Sequence, residues 1–200
     1  MKKQIVLAGV LAVCAVGSVM AQSSGQSPWL VRARAVNIDS DNGGSTTPSL
    51  DLAVNNRTIP EVDISYFFNK NIAAELILTT PQKHILTSKL GDLGTLRHLP
   101  PTLTVQYHFT ELKGFKPYVG LGINYTRFSD VQLAAKASID KDSWGLAWQA
   151  GIDFPLDKNW SLNLDLKQVR MRTAVYLDSA RIGDFKIDPL LAGVGVGYRF

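Results

Sequence analysis

Two hundred residues, 46% of them hydrophobic, with one cysteine and a formal charge of +4, suit a single domain without a disulfide framework. Lys2 and Lys3, the apolar run Ile5–Val16 and the small-residue site Val19-Met20-Ala21 predict a cleaved secretory signal over 1–21, leaving one domain over 22–200. Its loss removes Cys14 and lowers the charge from +4 to +2, which excludes thiol chemistry and leaves no basic excess to suggest nucleic acid.

No apolar run of the remaining chain approaches the ~18 residues of a spanning helix. The period-two pattern of strands is everywhere instead. Strand one, Trp29–Val36, alternates Trp29, Val31, Ala33 and Ala35 with Leu30, Arg32, Arg34 and Val36. A long polar stretch, 39–57, leads to strand two, where Pro60, Val62, Ile64, Tyr66 and Phe68 oppose Glu61, Asp63, Ser65 and Phe67. After a tight Asn69-Lys70-Asn71 turn, strand three sets Ile72, Ala74, Leu76 and Leu78 against Ala73, Glu75, Ile77 and Thr79. A second long connection, 80–99, precedes strand four, with Leu103, Val105, Tyr107 and Phe109 against Thr102, Thr104, Gln106 and His108.

The turn at Glu111–Gly114 is short. Strand five then opposes Val119, Leu121, Ile123 and Tyr125 to Tyr118, Gly120, Gly122 and Asn124. The longer segment 129–142 leads to strand six, where Trp144, Leu146, Trp148, Ala150, Ile152 and Phe154 alternate with Gly145, Ala147, Gln149, Gly151 and Asp153. After the short turn Pro155–Asn159, strand seven opposes Leu162, Leu164 and Leu166 to Asn163, Asp165 and Lys167, with an ambiguous register near Arg170–Arg172. A last long connection, 173–184, reaches strand eight, whose Leu190, Ala192, Val194, Val196, Tyr198 and Phe200 form an oily face. Its other face, Gly193, Gly195 and Gly197, is nearly bare.

Eight strands joined by alternately long and short connections predict an all-β, antiparallel up-and-down transmembrane barrel of the outer membrane. The aromatics agree. Trp29, Phe68, Phe109, Phe115, Phe154, Trp160 and Phe200 fall at the short-turn end, and Tyr125, Phe128 and Trp144 at the other, as two interfacial belts require. The inward face then carries Arg32, Arg34, Glu61, Asp63, Glu75, Asp153, Asp165, Lys167 and Arg199, charges that must pair in so narrow a lumen. Interspersed cations favour an ion-pair lattice over a pair of glycosidase carboxylates.

Several motifs in order resemble the OmpW family: His98-Leu99-Pro100-Pro101-Thr102-Leu103, Pro117-Tyr118-Val119-Gly120 with Gly122-Ile123-Asn124-Tyr125, Lys141-Asp142-Ser143-Trp144-Gly145, Gly197-Tyr198-Arg199-Phe200, and Asn71–Leu76 followed by Thr80-Pro81. The resemblance implies an eight-stranded outer-membrane barrel that passes small hydrophobic molecules and serves phage and bacteriocins as a docking surface. It also implies an inward apolar constriction, for which Ile77 is suitably placed, while Lys167 departs from the pattern on strand seven.

Pro100-Pro101 removes two N–H groups from the start of strand four. Two readings stay open: a lateral opening through which an apolar ligand leaves the lumen for the lipid, and a plain strand-start marker. The apolar loop pieces Leu50–Val54, with Leu50, Leu52 and Val54, and Val131–Ala137 also admit two readings. They form a ligand-capturing vestibule, or they fold onto one another with a short helix at Gln132–Ser138. His84, His98 and His108 lack ligand spacing for a metal, and Ser88 near His84 lacks a Gly-x-Ser-x-Gly setting, so neither cofactor nor catalysis is expected. The reading is a monomeric barrel in outer-membrane lipid that passes small hydrophobic ligands. The alternative is a non-conducting barrel whose outer loops bind phage, bacteriocin or host.

Overall fold

A computed structural model describes residues 26–89, 91–133 and 137–200, so the predicted signal lies outside the described residues. In chain order the strands are β1 (Trp29–Asp39), β2 (Gly43–Thr46), β3 (Ala53–Val54), β4 (Arg57–Phe67), β5 (Ile72–Thr79), β6 (Gln82–Ser88), β7 (Gly91–Leu99) and β8 (Thr102–His108). They continue as β9 (Lys116–Leu133), β10 (Ala137–Ile139), β11 (Asp142–Pro155), β12 (Trp160–Val169), β13 (Arg172–Leu177), β14 (Ala180–Lys186) and β15 (Leu190–Arg199). Eight of them, β1, β4, β5, β8, β9, β11, β12 and β15, pair antiparallel in that order, and β15 returns to β1. The closing seam runs from Leu30 opposite Arg199 to Asp39 opposite Leu190. Closure leaves no free edge strand, the arrangement that lets a sheet satisfy its backbone inside a bilayer.

Alternation decides which residues meet lipid. Leu121, Leu146, Val105, Val194 and Leu164 point outward and stay exposed, while Arg32, Glu75, Gln106, Tyr118 and Lys167 point inward and are buried. At the short-turn end, edge-to-face ring pairs Trp29–Tyr66, Tyr107–Phe109 and Trp160–Tyr198 form one belt, each with centroids 4.9–5.0 Å apart. Tyr125 and Trp144, 4.9 Å apart, mark the other. Phe128 is not part of it. Its even position on β9 turns it inward, and it is buried among loop residues.

The long connections are not loops. The β6–β7 hairpin rises from the barrel rim and β7 pairs with the far end of β9, while β3 adds to β6. On the opposite side β10, β13, β14 and β2 form a separate four-stranded sheet. Where a helix was considered at Gln132–Ser138, the described residues are strand, belonging to β9 and β10. The two layers share an apolar core of their own, with Leu52, Val54, Leu86, Leu96, Phe128, Ile139, Met171, Val175, Phe185 and Ile187. β9, at 18 residues, is far longer than the ~10 residues a bilayer needs, and its excess carries this extension.

Candidate functional site: the lumen and its lateral seam

Three layers fill the barrel along its axis. The first is a charge lattice nearer the short-turn end. Arg32 Nη2 lies 2.8 Å from Asp153 Oδ2, and its Nη1 reaches Asp63 at 3.3 Å and Glu75 at 3.2 Å. Arg34 Nη1 contacts Asp63 at 2.7 Å and Glu61 at 2.9 Å. Lys167 Nζ meets Glu61 at 2.9 Å and Asp165 at 3.6 Å. Three cations thus face five carboxylates, and neutral donors serve the remaining oxygens: Tyr118 Oη donates to Asp165 at 2.7 Å, Gln149 to Glu75 at 2.7 Å and Asn163 to Asp153 at 2.8 Å. Buried charges persist only with such partners.

Room for the two arginines comes from β15. A Cβ on Gly193 would stand 3.3 Å from Arg34 Cδ, and one on Gly197 would stand 3.3 Å from Arg32 Cγ. Gly151 is bare for a similar reason, because the Tyr118 ring crosses the position of its missing side chain. Arg199, which sequence reasoning placed among the ion pairs, stands apart from the lattice. Its guanidinium lies 4.0 Å over the Phe67 ring and its Nε donates to the Ser27 carbonyl at 3.0 Å, because β15 is already at the barrel mouth there.

The second layer is apolar. Val36, Ile38, Ile59, Ala147, Val169 and Leu191 pack together above the lattice. Ile77 joins Ile38, Ile59, Val169 and Leu191 in lining a cavity with about 20 Å³ of free space, close to the volume of a single water probe. Lys167 and Glu61 line it too, and their ion pair at 2.9 Å makes its charged floor. Thr79 and Thr102 add two hydroxyls to the lining, and His98, Pro100, Met171 and Pro189 the rest.

The third layer is the loop core. Leu52 and Val54 are buried in it, with Leu50 packed against it, so the three sit inside a closed core rather than around an open mouth. Apolar strands drawn over a narrow rim have no other way to leave water. His84 and His98, remote in the chain, meet here with ring centroids 4.7 Å apart, through the β6–β7 register. His84 Nδ1 contacts the Asn55 carbonyl at 2.9 Å, whereas neither ring nitrogen of His98 finds a partner among the described residues. Burial, reinforced by His84, pushes His98 down to about 3. Burial also lowers His84, against the pull of the Asn55 carbonyl. His108 lies at the other end of the barrel, stacked on Tyr118 at 5.0 Å.

The wall beside the apolar layer is interrupted on one side. Pairing of β5 with β8 runs from Ile72 opposite Tyr107 to Ile77 opposite Thr102 and stops there, although β5 continues along β4 to Thr79. Pro101 and Pro100 would come next, and neither has an N–H to give. Thr79 Oγ1 is left buried without a partner among the described residues. On the β9 side the join is intact: Tyr125 N donates to the Pro101 carbonyl at 3.1 Å, and Asn124 Nδ2 donates to the Pro100 and Pro101 carbonyls at 3.2 Å each. Ile77 and the prolines are thereby brought together at one seam, as their strand positions suggested. His98 was missed because it belongs to a segment read as a loop, and Met171 because the register near Arg170–Arg172 was ambiguous.

The family model described as OmpW family matches residues 26–200. The outer-membrane protein y4mB of Sinorhizobium fredii is 42% identical over 190 residues, covering 89% of this chain and 82% of the relative. Outer membrane protein W of Escherichia coli is 36% identical over 214 residues, spanning both chains fully. The crystal structure of OprG, an outer-membrane protein from Pseudomonas aeruginosa, superposes with a TM-score of 0.77 at 28% identity, over 88% of this chain and 97% of that one. Relatives matched over most or all of their length, the closed eight-stranded wall and a family match over all the described residues lead to one conclusion: this outer-membrane β-barrel belongs to the OmpW family.

Proposed function

We propose that this barrel gives small hydrophobic molecules passive, non-catalytic passage, from the outer loops through the apolar layer at Ile77 and sideways into the bilayer beside Pro100-Pro101. One observation carries the reading: an apolar chamber lies between a charge lattice below and a one-sided gap in the wall. An apolar solute cannot descend through paired, desolvated charges without displacing them. The seam costs no ladder bond to open, since the prolines make none on that side. With about 20 Å³ free, the chamber admits a ligand only when the loop core above it parts.

The test replaces Pro100 with Thr and Pro101 with Val, restoring two backbone donors, of which the one at 100 faces β5 opposite Thr79 and the one at 101 faces β9. Uptake of an apolar solute into liposomes slows several-fold while the barrel still folds. Unchanged uptake in the folded variant defeats the lateral route.

A second reading is favoured by the packed loop core, which fixes a rigid outer surface. A barrel that conducts nothing of consequence could present that surface to phage, bacteriocin or host. Deletion of 41–50 then abolishes partner binding and leaves permeability intact.

A further inference from the structure

On the outer wall, two cavities that touch at the same residues form one continuous groove. The upper one, about 460 Å³, sits where the β13–β14 side of the loop sheet meets the barrel. Its barrel side is Leu121, Leu146 and Trp148, all lipid-facing, and its loop side presents Arg170, Arg172 and Lys186. The lower one, about 750 Å³ and almost wholly apolar, continues down the wall past Val119, Tyr107 and Val105, and shares Leu121 and Trp148 with the upper.

The cations stand at the outer interface. Arg172 N donates to Ser143 Oγ at 3.1 Å, one residue from the outer-belt Trp144, and Arg170 N donates to the Leu146 carbonyl at 2.8 Å. The strand passes outward here: Met171 is buried in the loop core, while Arg170 and Arg172 on either side are exposed. Asp188 lies 3.3 Å from Arg172 and 3.7 Å from Lys186, and Asp41 lines the same cleft. Arg170 has no carboxylate partner among the described residues.

A cationic cleft at headgroup height above an apolar trough matches an anionic amphiphile. From Leu146 to Ala150 the trough runs about 13 Å at ~3.3 Å per residue, roughly one leaflet of a ~25 Å apolar band. Guanidinium groups recognise phosphate oxygens through paired N–H bonds, and a phosphate with no cation of its own attached gains more from them than the phosphate of a zwitterionic headgroup. We infer that Arg170, Arg172 and Lys186 bind the phosphate of an outer-leaflet glycolipid, with one of its acyl chains lying along Leu146, Trp148 and Leu121.

The experiment uses the full barrel in phosphatidylcholine nanodiscs doped with bisphosphorylated lipid A or its dephosphorylated form. Native mass spectrometry reads retention, and brominated acyl chains read contact with Trp148 by fluorescence quenching. Phosphorylated lipid is retained roughly tenfold better, the scale of one or two charge-assisted contacts. R170Q/R172Q/K186Q erases the preference, while R170K/R172K keeps most of it. Should the triple variant fail the heat-shift test for a folded barrel, R170Q alone carries the comparison, because that guanidinium makes no ion pair among the described residues. Equal retention of the two lipids, or a folded variant that retains lipid as the parent does, overturns the site. So does inorganic phosphate binding the detergent-solubilised barrel as tightly as the lipid, which would make it a free-anion site.

Discussion

The ammonium of Lys167 lies 2.9 and 3.1 Å from the two carboxylate oxygens of Glu61. This pair joins β12 to β4 across the lumen and separates the charge lattice from the apolar chamber. A lysine at this point leaves the constriction apolar above it, because its charge is neutralised by Glu61 at the chamber floor.

Replacing Lys167 with Met leaves Glu61 facing only Arg34, at 2.9 Å. Breaking one side of a buried pair costs ~3–5 kcal/mol, and the surviving arginine places this case near the lower end. Lys167→Met with Glu61→Gln recovers much of the loss, which urea unfolding in detergent micelles reads directly. Passage of an apolar solute through folded Lys167→Met is unchanged or faster. A fall in passage would show that the lysine serves the solute itself.

The bare face of β15 makes a second expectation. Gly193→Val places branched carbons where Arg34 and Val36 already stand, each 3.3 Å from the first added atom. Overpacking of this kind costs about 1–3 kcal/mol. The same substitution at Ala192, on the lipid face of the strand, costs little. Equal unfolding midpoints for the two variants would refute the packing argument.

The buried histidine pair makes the outer extension sensitive to acid. Burial holds His98 at about 3 and lowers His84, whereas an opened loop returns both to about 6.5. The open state binds more protons between those limits, so the closed extension is fully stable above about pH 6.5 and weakens as pH falls toward 3. The slope reaches about 1.4 kcal/mol per pH unit for each group fully titrating in the open state alone. Hydrogen exchange of β6 and β7 amides quickens from about pH 7.5 to about pH 5, after correction for intrinsic rates. His84→Phe/His98→Phe removes most of that difference. Identical protection factors at the two values in the parent would count against it.

The barrel was legible because each spanning strand must alternate: no other pattern places Arg32, Arg34 and Glu75 inside and Val31, Ala33 and Leu76 outside. The lattice followed from parity alone, though Tyr118, Gln149 and Asn163 were not recognised as its neutral donors. The extension was missed because length was taken as the mark of a loop. Its signals were present. Gln82, His84 and Leu86 alternate with Lys83, Ile85 and Thr87, and the former three are buried. Asp178 and Ser179, with φ of 48° and 70°, close β13 onto β14 as a two-residue hairpin of the kind that needs left-handed conformations. Nothing in the residues between β2 and β3 announces that Leu52 and Val54 will share a core with Phe185. That contact is set by where two separate hairpins meet.

The glycines of β15 also bear on how the chain is assembled. Arg32 and Arg34 lie on the first strand, and the space they occupy is supplied by the last. Until β15 docks, that side of the two arginines is bare, and Asn163, which accepts from Arg34 Nε at 2.6 Å, belongs to the neighbouring late strand β12. Closing the seam and completing the charge lattice are therefore one event. A barrel short of its final strand keeps Arg32 and Arg34 paired to Asp63, Glu61 and Glu75 on β4 and β5, but leaves the flank that the β15 glycines would cover open.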